Sequence, residues 1–299
     1  MIAIDSTRNR GRLVGIVRIV VGLLWLANLE WKRPPDFGRD LSNGLYKYVD
    51  SAVRNPVFAP YSWFVEHVVV KQYTLFGWVT LLVEAGLAVC LLLGWHTRIA
   101  ALVGAGMAVN IMLSVLYYDK QYEWPWSYYL MIAIHLALFA TLAGDHLGLD
   151  GLRAAGAEAS RRAIVVLGAV GAIVGVVALI VASDRSFTAH QGALVGWARG
   201  ELKLLWFNPF SALLTVVLGA LAVAGAWRRL HVLVLAAAAG FALMALQVLA
   251  QWRYRKGDWT GGVLGGTGAT MAFWAMLAVG LAVSARRARS VTNASTAVT

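Results

Sequence analysis

Eight apolar runs of 17 to 22 residues, at 13–29, 73–94, 97–117, 127–143, 163–183, 209–227, 230–250 and 269–285, constrain this chain more than any other feature. A bilayer core of about 30 Å takes about 20 apolar residues in a helix, so each run has the length of a membrane span. The runs are continuous, whereas strands of a membrane barrel alternate over about 10 residues. Composition agrees: hydrophobic residues make up 60% of the 299 and charged residues 14%, against about 25% charged in a soluble domain. A soluble enzyme, a disordered chain and a disulfide-built secreted domain are excluded. Cys90, the single cysteine, cannot form an internal disulfide, a redox pair or a cysteine-based metal site. The expected fold is an all-α integral membrane protein with eight transmembrane helices.

A net charge of +11 would suggest nucleic acid in a soluble chain. Here the arginine pairs at 161–162, 228–229 and 286–287 abut spans, the pattern by which basic residues set topology. They place both termini in the cytoplasm of a bacterial plasma membrane, with lipid rather than nucleic acid as the surroundings. Arg18 interrupts the first run and no small-x-small cleavage site follows Leu29, so the first run reads as a retained helix. Trp25, Trp31, Trp78, Trp95, Trp124, Trp126, Trp206, Trp227, Trp252 and Trp259 fall near span ends and read as an interfacial aromatic belt.

The inner loop 144–162 divides the spans into two blocks of four: residues 1–152, and 163–289 after a basic linker at 153–162, with a disordered tail at 290–299. The outer segment 30–72 carries two stretches, 45–53 and 61–70, that read as short amphipathic helices, and they could cover the first block as a lid. The glycine-rich stretch 261–268 fits no phosphate-loop spacing and reads as a flexible outer loop.

Polar residues inside spans are concentrated in the first block: Arg18, Glu84, Asn110 and His135. At 1.5 Å per residue they lie about 8, 15, 20 and 12 Å from the inner span ends, close enough to share one bundle. An ionisable group at mid-bilayer marks function by default, and opposite charges on adjacent spans predict a buried Arg18–Glu84 pair. One reading is structural, the four groups merely orienting helices. Another is a site for a quinone or other lipid-soluble molecule, with His135 and Glu84 handling protons. A channel or transporter is the third. His135 is the only histidine deep inside a span, whereas haem between helices usually takes two; no haem or metal is expected. The last four spans, rich in Gly, Ala and Val, read as packing.

Four short stretches of the first block are similar to the DoxX/DoxD family of small bacterial four-span membrane proteins. They are Val17-Arg18-Ile-Val-Val-Gly22, Glu84-Ala-Gly-Leu-Ala-Val-Cys-Leu-Leu-Leu-Gly94, Thr97-Arg98-Ile-Ala-Ala101 and Gly144-Asp-His-Leu-Gly-Leu149-Asp150. The resemblance covers residues 13–152. It implies a four-helix bundle with shared polar positions at Arg18, Glu84 and Arg98, Arg98 lying at the inner rim. It also implies a membrane subunit of a quinone-linked complex, for thiosulfate oxidation or oxidative-stress defence, with a partner redox protein. The long outer segment and the four further spans depart from the family's basic unit. A non-enzymatic scaffold, or a lipid-binding or transport protein, stands as the alternative.

Overall fold

A computed structural model describes residues 6–118, 126–197, 202–254 and 262–296. The first half contains α1 (Ser6–Asn28), α2 (Gly44–Arg54), α3 (Ala59–Phe64, continuing as a π-helical turn over Val65–Val69), α4 (Tyr73–Leu93), α5 (Thr97–Val115) and α6 (Trp126–Ala140). The second contains α7 (Leu152–Val181), strands β1 (Ala193–Trp197) and β2 (Leu202–Phe207), α8 (Pro209–Trp227), α9 (His231–Tyr254) and α10 (Gly268–Thr296).

Among the described residues, seven helices are long and apolar enough to cross a membrane: α1, α4, α5, α7, α8, α9 and α10. Their outward faces carry large apolar side chains such as Leu75, Ile99, Ile173, Ile180 and Leu243. An apolar exterior of that extent fits hydrocarbon rather than water. The eighth expected span corresponds to α6, apolar but only 15 residues long. The chain is thus a helical, multi-pass membrane protein.

Helix α1 packs on α4, α4 on α5, and α5 on α6; in the second half α7 packs on α8 and α10, and α9 on α8 and α10. Helix α10 also lies against α4 and α1, which joins the halves into one core. The expected basic linker is instead the opening of α7, with a break in helical geometry at Gly156 (φ 78°). The tail expected to be disordered continues α10 as far as Thr296.

An antiparallel hairpin, β1 with β2, interrupts the all-α expectation. It leads into Asn208, whose side chain accepts from Ser211 N at 2.9 Å while Ser211 Oγ accepts from Asn208 N at 3.2 Å. With Pro209 in the first turn, this capping box starts α8. Asn208 Nδ2 also donates to the carbonyls of Ala189 (3.0 Å) and Val263 (2.7 Å). The described part of the glycine-rich stretch is therefore tied down and mostly buried, not a flexible loop.

One end of the first half is closed by the motif residues themselves. Gly94 ends α4 in the left-handed region (φ 61°), and a Cβ there would meet Gly148 Cα at 2.6 Å and the Arg18 guanidinium at 2.7 Å. Glycine satisfies both demands. The 144–150 turn pairs with it: Leu149 N donates to Leu93 O and Asp150 N to Gly94 O, each at 2.8 Å. The Asp150 carboxylate then accepts from His96 N and Thr97 N, both at 3.0 Å. A side chain more than fifty residues away thus serves the first amides of α5, where a negative charge is favoured.

Candidate functional site

Arg18 belongs to this closing turn and not to an ion pair with Glu84. Its guanidinium donates to the carbonyls of Leu91 (a short contact), Leu92 (3.2 Å), Ala143 (3.2 Å), His146 (3.4 Å) and Leu147 (2.8 Å). Carbonyls at a helix C-terminus lack intrahelical donors, and a planar five-donor group can serve several together. Leu91 lies seven residues beyond Glu84, about 10 Å along α4, which separates the expected partners. Arg98 is exposed at the same end, with its guanidinium 5.0 Å from the Phe139 ring centroid.

Glu84, 1% exposed, pairs with Lys32, whose Nζ lies 2.6 Å from Oε2. Beyond α1 the chain folds back into the bundle. The ammonium donates to Asn28 O at 2.9 Å and lies 3.9 Å over the Trp31 ring. Burial pushes the Lys32 pKa down, while the Glu84 carboxylate holds it up. Lys32 is the partner that sequence reading missed. Its signal is a lysine four residues beyond Asn28, within backbone reach of the span end, where the carboxylate on the neighbouring helix lacked a cation.

His135 is buried between α6 and α1. Its Nδ1 lies 2.7 Å from Met131 O, and its Nε2 accepts from Trp25 Nε1 at 2.9 Å. A carbonyl can only accept and an indole can only donate, so these partners assign the neutral Nδ1–H tautomer. Both ring nitrogens are engaged, and proton handling at His135 would first require release of Trp25. Trp25, 2% exposed, is therefore a core donor and not part of an aromatic belt. Trp126 and Trp227 are exposed as a belt requires; Trp124 and Trp259 lie outside the described residues, as does the side chain of Trp252.

Asn110 is half-buried and belongs to another group. Tyr61 Oη donates to Asn110 Oδ1 at 3.0 Å and lies 2.7 Å from Ser114 Oγ, so α3 is fastened onto α5. Burial raises the Tyr61 phenol's pKa and Ser114 opposes it. The two expected amphipathic stretches thus appear as α2 and α3 with its π turn.

These groups border one cavity of about 1030 Å³. Its wall includes Trp25 and Asn28 of α1, Thr80 and Glu84 of α4, Asn110 and Ser114 of α5, and Met131 and His135 of α6. Lys32, Tyr48, Tyr61 and Phe64 complete the lining from the outer segment. Glu84, Asn110 and His135 each border this cavity with separate partners, whereas Arg18 and Arg98 are not in its lining. Leu24 and Phe64 border the cavity and are themselves exposed, so its rim reaches the outer surface of the bundle. The volume is at the upper end for small-molecule sites, which are mostly apolar with a few converging polar groups.

Gly104 lets α5 approach the His135 ring; a Cβ there would fall on Cδ2 and Nε2 of the imidazole. Gly104→Ala is expected to displace the ring from Trp25 and destabilise the protein by about 1–3 kcal/mol. In a His135→Ala background most of that penalty should vanish, which thermal unfolding of the four variants in a double-mutant cycle measures.

The fold and cavity define a helical multi-pass membrane protein with a ligand-sized site in its first half. The chain matches no protein-family model, no curated protein and no solved structure.

Proposed function

We propose that this chain is an eight-span bacterial plasma-membrane protein, DoxX-like over its first half, that binds a quinone as the membrane subunit of a redox complex. The carrying observation is the cavity: mostly apolar, open at its rim to the lipid-facing surface, with the Lys32–Glu84 pair in its wall. The pair suits both forms of such a ligand, since an ammonium can donate to a carbonyl and a carboxylate can accept from a hydroxyl. Lys32 is the described polar partner of Glu84, and a carboxylate has further acceptor sites. Lys32 and Glu84 would hold the head group of a quinone, which when bound would supply two-electron, two-proton redox chemistry. Tyr61 and Phe64 line the cavity from the outer segment, and the Trp25–His135 bond fixes the wall between α1 and α6.

The engaged nitrogens of His135 and the structural work of Arg18 favour a second reading, in which the cavity holds a lipid without turnover. Mass spectrometry of organic extracts from the purified protein separates the two. A near-stoichiometric quinone is expected, falling at least about tenfold in Lys32→Met/Glu84→Gln, the loss of one to two good polar contacts. Phospholipid in place of quinone would favour the second reading; neither class in the extract would overturn both.

A further inference from the structure

The second half carries its own inlet. A cavity of about 190 Å³ opens between α7, α8, α9 and α10 at the end where the arginine pairs gather. Arg161, Arg229 and His231 line it together with the apolar Ile164 and Val234. Glu158 is the carboxylate nearby, 2.8 Å from Arg161 Nη2 and 3.6 Å from Arg162 Nε. Among the described residues no carboxylate pairs with Arg229. That residue is held at the α8–α9 corner in the left-handed region (φ 57°), where Leu230 N closes α8 by donating to Gly225 O at 2.8 Å.

Cations with a single shared counter-charge, gathered around a small concavity, form a receptor for a compact anion. Guanidinium matches the oxygens of a phosphate in a bidentate geometry that an ammonium lacks. The inlet also borders α9 at its first residue, His231, the end at which backbone N–H groups favour an anion. Leu230, Val232 and Trp227 beside it are exposed and apolar, as expected where span ends meet lipid headgroups.

We propose that this inlet binds a phosphate group, with Arg161 and Arg229 as its main ligands and His231 as a third donor. It is separate from the first-half cavity and independent of the function proposed for it. The phosphate belongs either to the headgroup of an anionic phospholipid or to a small soluble ion, and the same guanidinium chemistry serves both.

Native mass spectrometry of the full-length protein in detergent tests the site, titrating with phosphatidylglycerol, phosphatidylcholine or inorganic phosphate. Phosphatidylglycerol is expected to bind selectively over phosphatidylcholine, and Arg161→Gln/Arg229→Gln to weaken it about 30-fold. Arg98→Gln, an equal type of charge loss in the other half, should leave binding intact. Inorganic phosphate that binds with the same dependence on the double variant would support the site and assign the soluble source. Absence of selective binding by any phosphate probe, or affinity unchanged in the double variant, overturns the proposal. If the double variant does not fold, Glu158→Gln serves instead: removing the competing carboxylate should raise affinity severalfold, and unchanged affinity overturns the proposal.

Discussion

Arg18→Leu is expected to lose about 3–5 kcal/mol of stability, the range for removing one member of a buried charged network. The side chain is 0% exposed and donates to five carbonyls, two from α4 and three from the turn after α6. Leucine would fill part of the volume and supply no donor, leaving buried carbonyl groups unsatisfied. Total stability of a domain is about 5–15 kcal/mol, so the variant should accumulate poorly and unfold at much lower denaturant. Arg18→Lys should recover only part of the loss, because three donors on one nitrogen cannot fan across carbonyls from separate segments. Arg98→Gln is the contrast: its exposed position predicts a change within about 0.5 kcal/mol. Denaturant unfolding in mild detergent would measure all three. An Arg18→Leu protein within 1 kcal/mol of the parent would show that the carbonyl contacts contribute nothing.

That contrast separates the features a sequence encodes from those that only the fold creates. Long apolar runs specify helices because hydrocarbon forces backbone groups to pair locally, so seven of the eight expected spans were legible as long apolar helices, although those around 13–29, 163–183 and 269–285 extend beyond the runs. The amphipathic stretches of the outer segment were legible for a related reason, since one face must be buried. The partners of charged residues were not. Reading side chains against side chains paired Arg18 with Glu84, but Arg18 is satisfied by backbone carbonyls, which are present at every position and leave no mark in a sequence. Lys32 falls in the outer segment 30–72, just past a span end, where nothing in the sequence marks it as buried. Its burial depends on the return of the chain after α1, where Phe37 is buried and Tyr73 Oη donates to Phe37 O at 2.9 Å. The β hairpin was missed because β1 and β2 are short, five and six residues. Trp25 looked interfacial by its distance from the helix end, yet the cavity extends to that level and turns the indole inward.

The larger consequence concerns the Lys32–Glu84 pair itself. Each single substitution, Lys32→Met or Glu84→Gln, should cost about 3–5 kcal/mol, because it strands a charge in a dry site. The double variant should recover most of that loss, since replacing a buried pair with groups of similar volume is often close to neutral. A coupling energy of at least about 2 kcal/mol in the four-variant cycle is the expected result. Glu84→Gln carries a pH signature as well. Without the carboxylate, Lys32 keeps the desolvation that lowers its pKa and loses the charge that raises it. The unfolded chain then binds a proton that the folded chain releases, so stability must rise with pH. The gain begins above the lowered folded pKa and ends near the unperturbed lysine value of 10.5. Lys32→Met/Glu84→Gln has no such lysine and should lack that rise. Denaturant midpoints between pH 7 and 10 compare the two proteins directly. Parallel profiles in the single and double variants would mean that Lys32 is solvated in the membrane, and the cavity wall would then lose a buried cation.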